Sequence, residues 1–339
     1  MTKWLQQREV VVLALLVALI AVIGVINNSF LEPKSLLSML NTSLILMLLA
    51  TGEMFVILTR GIDVSVGAMM GLAAVVLGLA LNAGMSLWLA IPLTLLVGLA
   101  LGAINGVGVA VVRIPPIIMT LGALGVYRGA MLILTGGSWI ETIPQSIKTL
   151  AGMKVFEVSV FAIATLLIIL LTTFLLRRIR QARYFYYVGD NEDGAFMLGI
   201  PVRPTQTVAY ALSGLFAGAA AVIFVGQIGF VPMQTGYGQE LNAIAAGVLG
   251  GINLSGGVGT PISALIGALF LTVINSALVF LKVPAFWNNA IAGAILLIVV
   301  LIDFRVRVAV EARQRQQRAH VRHETSATIQ PLLSPEEAS

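Results

Sequence analysis

Few residues in this chain can do chemistry, and most of those that can lie where ionisation is costly. Five ionisable groups, Glu53, Asp63, Arg128, Glu240 and Asp303, fall within or at the ends of long apolar runs. A charge in such a run is expensive in lipid, so each is a functional candidate by default. Glu53 and Arg128 sit inside their segments. They either pair with each other or meet backbone or water in a cavity, as packing and registry devices or as contacts to a solute. Asp63 and Asp303 lie at segment ends within reach of water. There a carboxylate serves as a cap, and Asp63 precedes a helix whose positive N-terminal end favours an acid. Asn105 and Gln227, at helix positions, are either interhelical hydrogen-bonding groups or the lining of a path.

The absences narrow the chemistry further. There is no cysteine, and both histidines, His320 and His323, lie in a polar tail. Thiol nucleophiles, disulfides and the usual zinc sites are therefore not expected. None of the lysines follows a glycine, so the chain has no GxxxxGK[ST] phosphate loop, and any ATP and magnesium involved would be bound by a different polypeptide. HExxH and GxSxG are also missing. No catalytic residue and no metal site is expected in this chain.

The elements that must position these groups are membrane spans. Hydrophobic residues make up 58% of the 339 and charged residues 10%, which no soluble domain can turn into a water-facing surface. Apolar segments run over 10–26, 39–59, 67–83, 88–112, 116–134, 155–176, 206–230, 240–254, 261–281 and 285–302. Most approach the ~20 residues of a spanning helix. The eighth is short and glycine-rich, and reads as a broken or re-entrant helix. The pattern predicts an all-α polytopic membrane protein of about ten transmembrane helices, with eight or nine left open. With the N-terminus cytoplasmic, fifteen of the twenty lysines and arginines fall inside. Four fall outside (Lys34, Lys148, Lys154 and Lys282), and Arg128 lies within a span. That bias predicts cytoplasmic termini, and it explains the net charge of +5 without nucleic acid. The first apolar run lacks a small-residue cleavage site and reads as a retained helix.

Two heptapeptides, "GIDVSVG" at Gly61 to Gly67 and "GINLSGG" at Gly251 to Gly257, each lead from one apolar run into another. They are either the trace of an internal duplication, a frequent way of building transporters, or a chance likeness of two membrane turns. Glycines four apart at Gly98/Gly102/Gly106, Gly67/Gly71, Gly125/Gly129 and Gly214/Gly218 predict close helix–helix approach. Residues 1–304 read as the membrane domain. Residues 305–339 read as a basic cytoplasmic tail, anchored at the juxtamembrane arginines and disordered beyond them. Between the halves, within a loop at 177–205, lies a polar island, "YYVGDNEDGAFMLGIPVRP", Tyr186 to Pro204.

In order and spacing, "GIDVSVGAMMG" (Gly61 to Gly71), "RIPPIIMTLGALGVYRG" (Arg113 to Gly129), "GDNEDGAFMLGI" (Gly189 to Ile200) and the glycine-rich run from Gly236 to Leu269 resemble the permease subunits of ribose-type ABC importers. The resemblance covers about residues 35 to 305. "LTGGSWIETIP", "QIGFVPMQTGYGQEL" and "VPAFWNNAIAG" bring it nearest to the C-type permeases of autoinducer-2 importers, with ribose or xylose permeases as the alternative and a secondary transporter a more distant one. The resemblance implies a multi-pass inner-membrane subunit with three kinds of partner: an ABC ATPase, a second related permease and a periplasmic binding protein. It implies that Gly189, Asn191, Ala195, Gly199 and Ile200 belong to a cytoplasmic helix that docks on the ATPase. Gly194 departs from the family's more usual alanine, and helix propensity charges about 1 kcal/mol for it. Glu53, Asn105, Arg128 and Glu240 are the candidate pathway residues.

Overall fold

Proline and glycine punctuate the helices. The computed structural model describes residues 2–284 and, beyond them, Trp287, Ala290, Gly293, Ala294, Leu297 and Leu301, with side chains from Val10 onward. Twelve α-helices are formed among these residues: α1 (Thr2–Ile26), α2 (Pro33–Leu58), α3 (Val66–Asn82), α4 (Leu87–Ala110), α5 (Pro116–Thr135), α6 (Gln145–Gly152), α7 (Val160–Arg178), α8 (Tyr184–Asp190), α9 (Glu192–Met197), α10 (Val202–Ile228), α11 (Gln239–Gly250) and α12 (Pro261–Phe280). Proline opens α2, α5 and α12, where its missing N–H costs nothing. A left-handed glycine closes α5 at Gly136, α10 at Gly229 and α11 at Gly251. A two-stranded hairpin, β1 (Lys154–Val155) with β2 (Val158–Ser159), leads into α7.

Six of these helices, α2, α4, α5, α7, α10 and α12, are long and apolar enough to cross a membrane, and α3 and the Val10–Ile26 part of α1 are shorter apolar helices. The chain is an all-α polytopic membrane protein. The eighth sequence segment forms only α11, twelve residues, or about 18 Å of helix against a hydrocarbon core of about 30 Å. It is half a span. All twelve helices belong to one compact unit, Met1–Gly293. A second unit, Ala294–Ser339, contributes Ala294, Leu297 and Leu301 to the described residues. Asp303, both histidines, the basic tail and most of the 285–302 segment lie outside them.

The most extensive helix–helix contact in the bundle is the glycine seam between α4 and α10. A Cβ on Gly102 would overlap the Tyr210 carbonyl oxygen, and one on Gly98 or Gly214 would overlap the other's carbonyl. Backbone lies on backbone here, as the GxxxG spacing predicts. Gly67 and Gly71 also pack closely, but against the chain at Thr235, Gly236 and Glu240 before and at the start of α11. Gly125 and Gly129 do not follow the expectation: a Cβ on either meets nothing within 4 Å. The same spacing on α5 faces open space, because four-residue periodicity marks a face without saying what covers it. Gly102→Leu is therefore expected to force α4 from α10 and to cost more than the ~1–3 kcal/mol of ordinary overpacking. Gly125→Leu is expected to cost little in this chain alone. Thermal stability of the two variants in detergent measures the difference.

The connections define two ends. One gathers the turn after α2, the α4–α5 turn, the α7–α10 connection and the α11–α12 turn, and carries Arg60, Arg113, Arg177, Arg178, Arg180, Arg183 and Arg203. The other gathers the start of α2, the α5–α7 connection and the end of α10, with Lys34, Lys148 and Lys154. Both heptapeptides lie at the arginine end.

Candidate functional site

The polar island folds into two short helices instead of one. Asn191 ends α8 and caps α9, its Oδ1 accepting the Gly194 N–H at 2.9 Å. A Cβ on Gly194 would meet the Asn191 amide at 3.1 Å, so the glycine leaves room for the cap that offsets its own low helix propensity. At the other end Gly199 is left-handed, with φ +75°, and the Ile200 N–H reaches back to the Ala195 carbonyl at 3.0 Å. This is a Schellman closure. Ala195 is buried with Val188 and Val202, and Ile200 packs against them. Asn191, Ala195, Gly199 and Ile200 thus build α9 and hold it down. What they present is a run that sequence reading missed: Phe196, Met197 and Leu198 are 75%, 85% and 81% exposed. Their consecutive apolar character was the available signal, hidden by reading the island as polar.

One arginine makes several of the bonds that fix the island to the bundle. Arg60, just past α2, donates from Nε to the Gly189 carbonyl at 2.7 Å and the Ser255 carbonyl at 3.1 Å, and from Nη2 to the Asp190 carbonyl at 2.7 Å. The Gly257 N–H donates to Leu58 O at 3.0 Å, and the Tyr186 hydroxyl to Gly259 O at 3.0 Å. Gly189 is buried at the junction, where a Cβ would overlap the Leu58 carbonyl and the Gly257 nitrogen. The end of α2, the second heptapeptide and α8 meet at this point.

The candidate charges separate into two groups, and Glu53 does not pair with Arg128. Glu53 on α2 is fully buried, and its Oε1 accepts the Asp63 N–H at 3.0 Å. Asp63 is also fully buried, against the expectation of a water-reachable segment end, because the turn after α2 folds inward beneath α4 and α5. Its Oδ1 accepts from Ser65 N at 2.9 Å and Ser65 Oγ at 2.6 Å, at the N-terminus of α3. Asn105 on α4 donates to Ser65 Oγ at 2.8 Å, and Tyr127 on α5 donates to Asn105 Oδ1 at 2.9 Å. Thr120 on α5 accepts the Val64 N–H at 3.2 Å. Hydrogen bonds tie the α2–α3 turn to two further helices.

Arg128, next to Tyr127, faces the other group. Its Nη1 donates to the Thr235 carbonyl, its guanidinium lies 5.9 Å from the centre of the Tyr237 ring, and it feels the Glu240 carboxylate. Glu240 stands in the first turn of α11, where the helix dipole favours an acid, and its Oε1 accepts from Gly238 N at 3.3 Å. One nitrogen of Arg128 and one oxygen of Glu240 are buried with no hydrogen-bond partner among the described residues. Gln227 donates to Asn41 O at 3.1 Å, an interhelical bond, and also lines a cavity. Among the described residues no group of three metal-ligating side chains is assembled.

Residues 35–300 match the model of the family described as branched-chain amino acid transport system / permease component. The chain belongs to this permease family. The permease is 46% identical over 319 residues to a protein of Escherichia coli (strain SMS-3-5 / SECEC) named autoinducer 2 import system permease protein LsrC, covering 94% of this chain and 93% of the relative. It is 45% identical to the like-named protein of Photorhabdus laumondii subsp. laumondii, covering 94% and 96%, and 46% identical to that of Yersinia pestis (strain Pestoides F), covering 94% and 91%. No solved structure matches the permease. The permease is a multi-pass inner-membrane transport component and not itself a catalytic enzyme, and its family implies ATPase and substrate-binding partners.

Proposed function

We propose that this permease translocates autoinducer-2 inward, driven by an ATPase that binds the ATP and magnesium on a separate chain. The observation that carries the substrate is the 45–46% identity, over 94% of the chain, to relatives named for autoinducer-2 import. In this reading residues 1–304 form the membrane domain with ten spans and both termini cytoplasmic, and 305–339 form a cytoplasmic tail. The seven arginines of one end support that end as the cytoplasmic one. A second related permease completes the path, and a periplasmic binding protein delivers the ligand. Alternating exposure of the path is a population shift, so the states must differ in affinity for ligand or ATPase.

The arrangement at Arg60 supports a coupling route. Closure of the ATPase moves α9, Arg60 passes the movement to α2 and the second heptapeptide, and α2 carries Glu53 into the buried turn. Arg60→Ala removes three bonds to carbonyls, each worth about 1.5–3 kcal/mol to a charged donor and less at this exposed position. The expected result is an assembled complex that hydrolyses ATP but takes up ligand at a small fraction of the normal rate. Hydrolysis and uptake that fall together would remove Arg60 from the route. The substrate is tested by reconstituting the permease with its partners in vesicles and comparing ATP-dependent uptake of autoinducer-2, ribose and xylose. Saturable uptake of autoinducer-2 alone is expected; uptake of a pentose instead keeps the importer and discards the signal molecule.

A further inference from the structure

A cavity of about 710 Å³ opens between α2, the end of α10, the start of α11 and α12. It is separate from the two charged groups and from the island. On α2 it is lined by Ser38 and Thr42, four residues apart on one helix face, with Lys34 one turn before them. The wall opposite carries Gln239 and Asn242 of α11 and Asn275 of α12. Among the described residues that line it, Lys34, at the lysine end, is the one that carries a charge. In a bundle with this many apolar side chains, hydroxyls and amides on four elements turned toward one space are not explained by packing.

The hydrogen-bonding inventory identifies what fits. Thr42 Oγ1 donates to Ser38 O at 2.9 Å, which spends its proton and leaves the oxygen as an acceptor. The amides of Gln239, Asn242 and Asn275 make no hydrogen bond among the described residues, so donors and acceptors are both on offer. An apolar solute would leave them unsatisfied. An anion would find a cation only at the Lys34 end. The volume lies within the roughly 300–1,000 Å³ of small-molecule sites. A second cavity, of about 760 Å³, adjoins it through Lys34, Ser38, Thr42 and Gln227 and extends to Lys148 and Lys154, which gives access from the lysine end.

We propose that this cavity is a binding site for a small, neutral, polyhydroxylated molecule, recognised by the amides of Gln239, Asn242 and Asn275. The proposal rests on the reading of the chain as a solute importer and assigns the ligand's station within it. A ligand hydroxyl can donate to an amide oxygen or to the Thr42 hydroxyl while accepting from an amide nitrogen. Three amides set around one space then distinguish the arrangement of hydroxyls and not merely their presence.

The chain's lack of cysteine supplies the test. In the complex reconstituted with its ATPase, second permease and binding protein, Ser38→Cys places one thiol of this chain in the cavity wall. A membrane-impermeant maleimide is expected to label it, and autoinducer-2 is expected to slow labelling severalfold. The double variant Asn242→Leu/Asn275→Leu is expected to lower uptake at sub-saturating ligand by at least about tenfold, the size that two lost neutral hydrogen bonds give. Labelling that is indifferent to ligand while the unaltered complex transports it overturns the site. If the double variant does not assemble, protection of the thiol decides alone. If the unaltered complex carries ribose or xylose and not autoinducer-2, protection by that pentose upholds the cavity while the substrate reading fails, and absence of protection overturns both.

Discussion

Changing Phe196 and Met197 together to aspartate is expected to abolish capture of the ATPase and leave the permease's own fold intact. Both side chains are almost wholly in solvent, at 75% and 85% exposure, and neither belongs to the Val188–Ala195–Val202 core that holds α9 down. Their removal therefore costs the isolated chain little. Three consecutive exposed apolar residues at the end of a six-residue helix are unfavourable in water and favourable in an apolar groove, the arrangement of an interface anchor. Anchors of this kind are worth about 2 kcal/mol or more each. Two introduced carboxylates add desolvation cost, so a loss of at least about a hundredfold in docking affinity is the expected size. Co-purification of the ATPase with the variant measures it, beside the thermal stability of the permease alone. Normal co-purification and uptake would mean that the tip faces water in the assembled importer. Gly199→Arg is the weaker test, since a side chain at φ +75° also strains the closure of α9 and confuses lost docking with lost structure.

The contrast between Phe196 and its neighbours shows what was legible in the sequence. Asn191, Gly199 and Ile200 stand out because caps and left-handed turns demand particular residue types, so local geometry can be read from identity. Phe196, Met197 and Leu198 look like any apolar residues, and only the fold shows that they face outward. Helix positions were legible for the same local reason: segments at 116–134 and 261–281 became α5 and α12 with their ends moved by a residue or less. The glycine spacings located faces but not partners, which is why Gly102 meets α10 and Gly125 meets nothing. Asp63 was misjudged because distance from an apolar run is not distance from the core. A turn can fold inward when its polar groups find partners, and here Ser65, Asn105 and Glu53 supply them.

That buried turn carries the second large effect. Asp63→Ala is expected to destabilise the permease by about 2–4 kcal/mol, more than any exposed substitution in the chain. The carboxylate accepts from the Ser65 N–H and hydroxyl and lies 3.5 Å from the Asn105 amide, all of them buried, so its loss leaves several donors without an acceptor. Each such orphan costs about 1–3 kcal/mol where water cannot replace the partner. Asp63→Asn keeps an oxygen toward Ser65 and should recover most of the loss, which a merely steric role would not require, since alanine is the smaller residue. Melting of the two variants in detergent, followed by gel filtration, separates the cases. Equal stability of both with the unaltered chain would mean that the turn is held by Thr120 and the helix ends alone. The effect should also reach the site on α5: Asn105 holds Tyr127, and Tyr127 is the covalent neighbour of Arg128. In the Asn variant, where the fold survives, a residual defect in uptake with normal ATPase docking would place the turn on the path from ATP to ligand, because a chain of hydrogen bonds runs from Asp63 through Ser65 and Asn105 to Tyr127, and the α3 helix that follows Ser65 packs against the chain at Thr235, to which Arg128 donates.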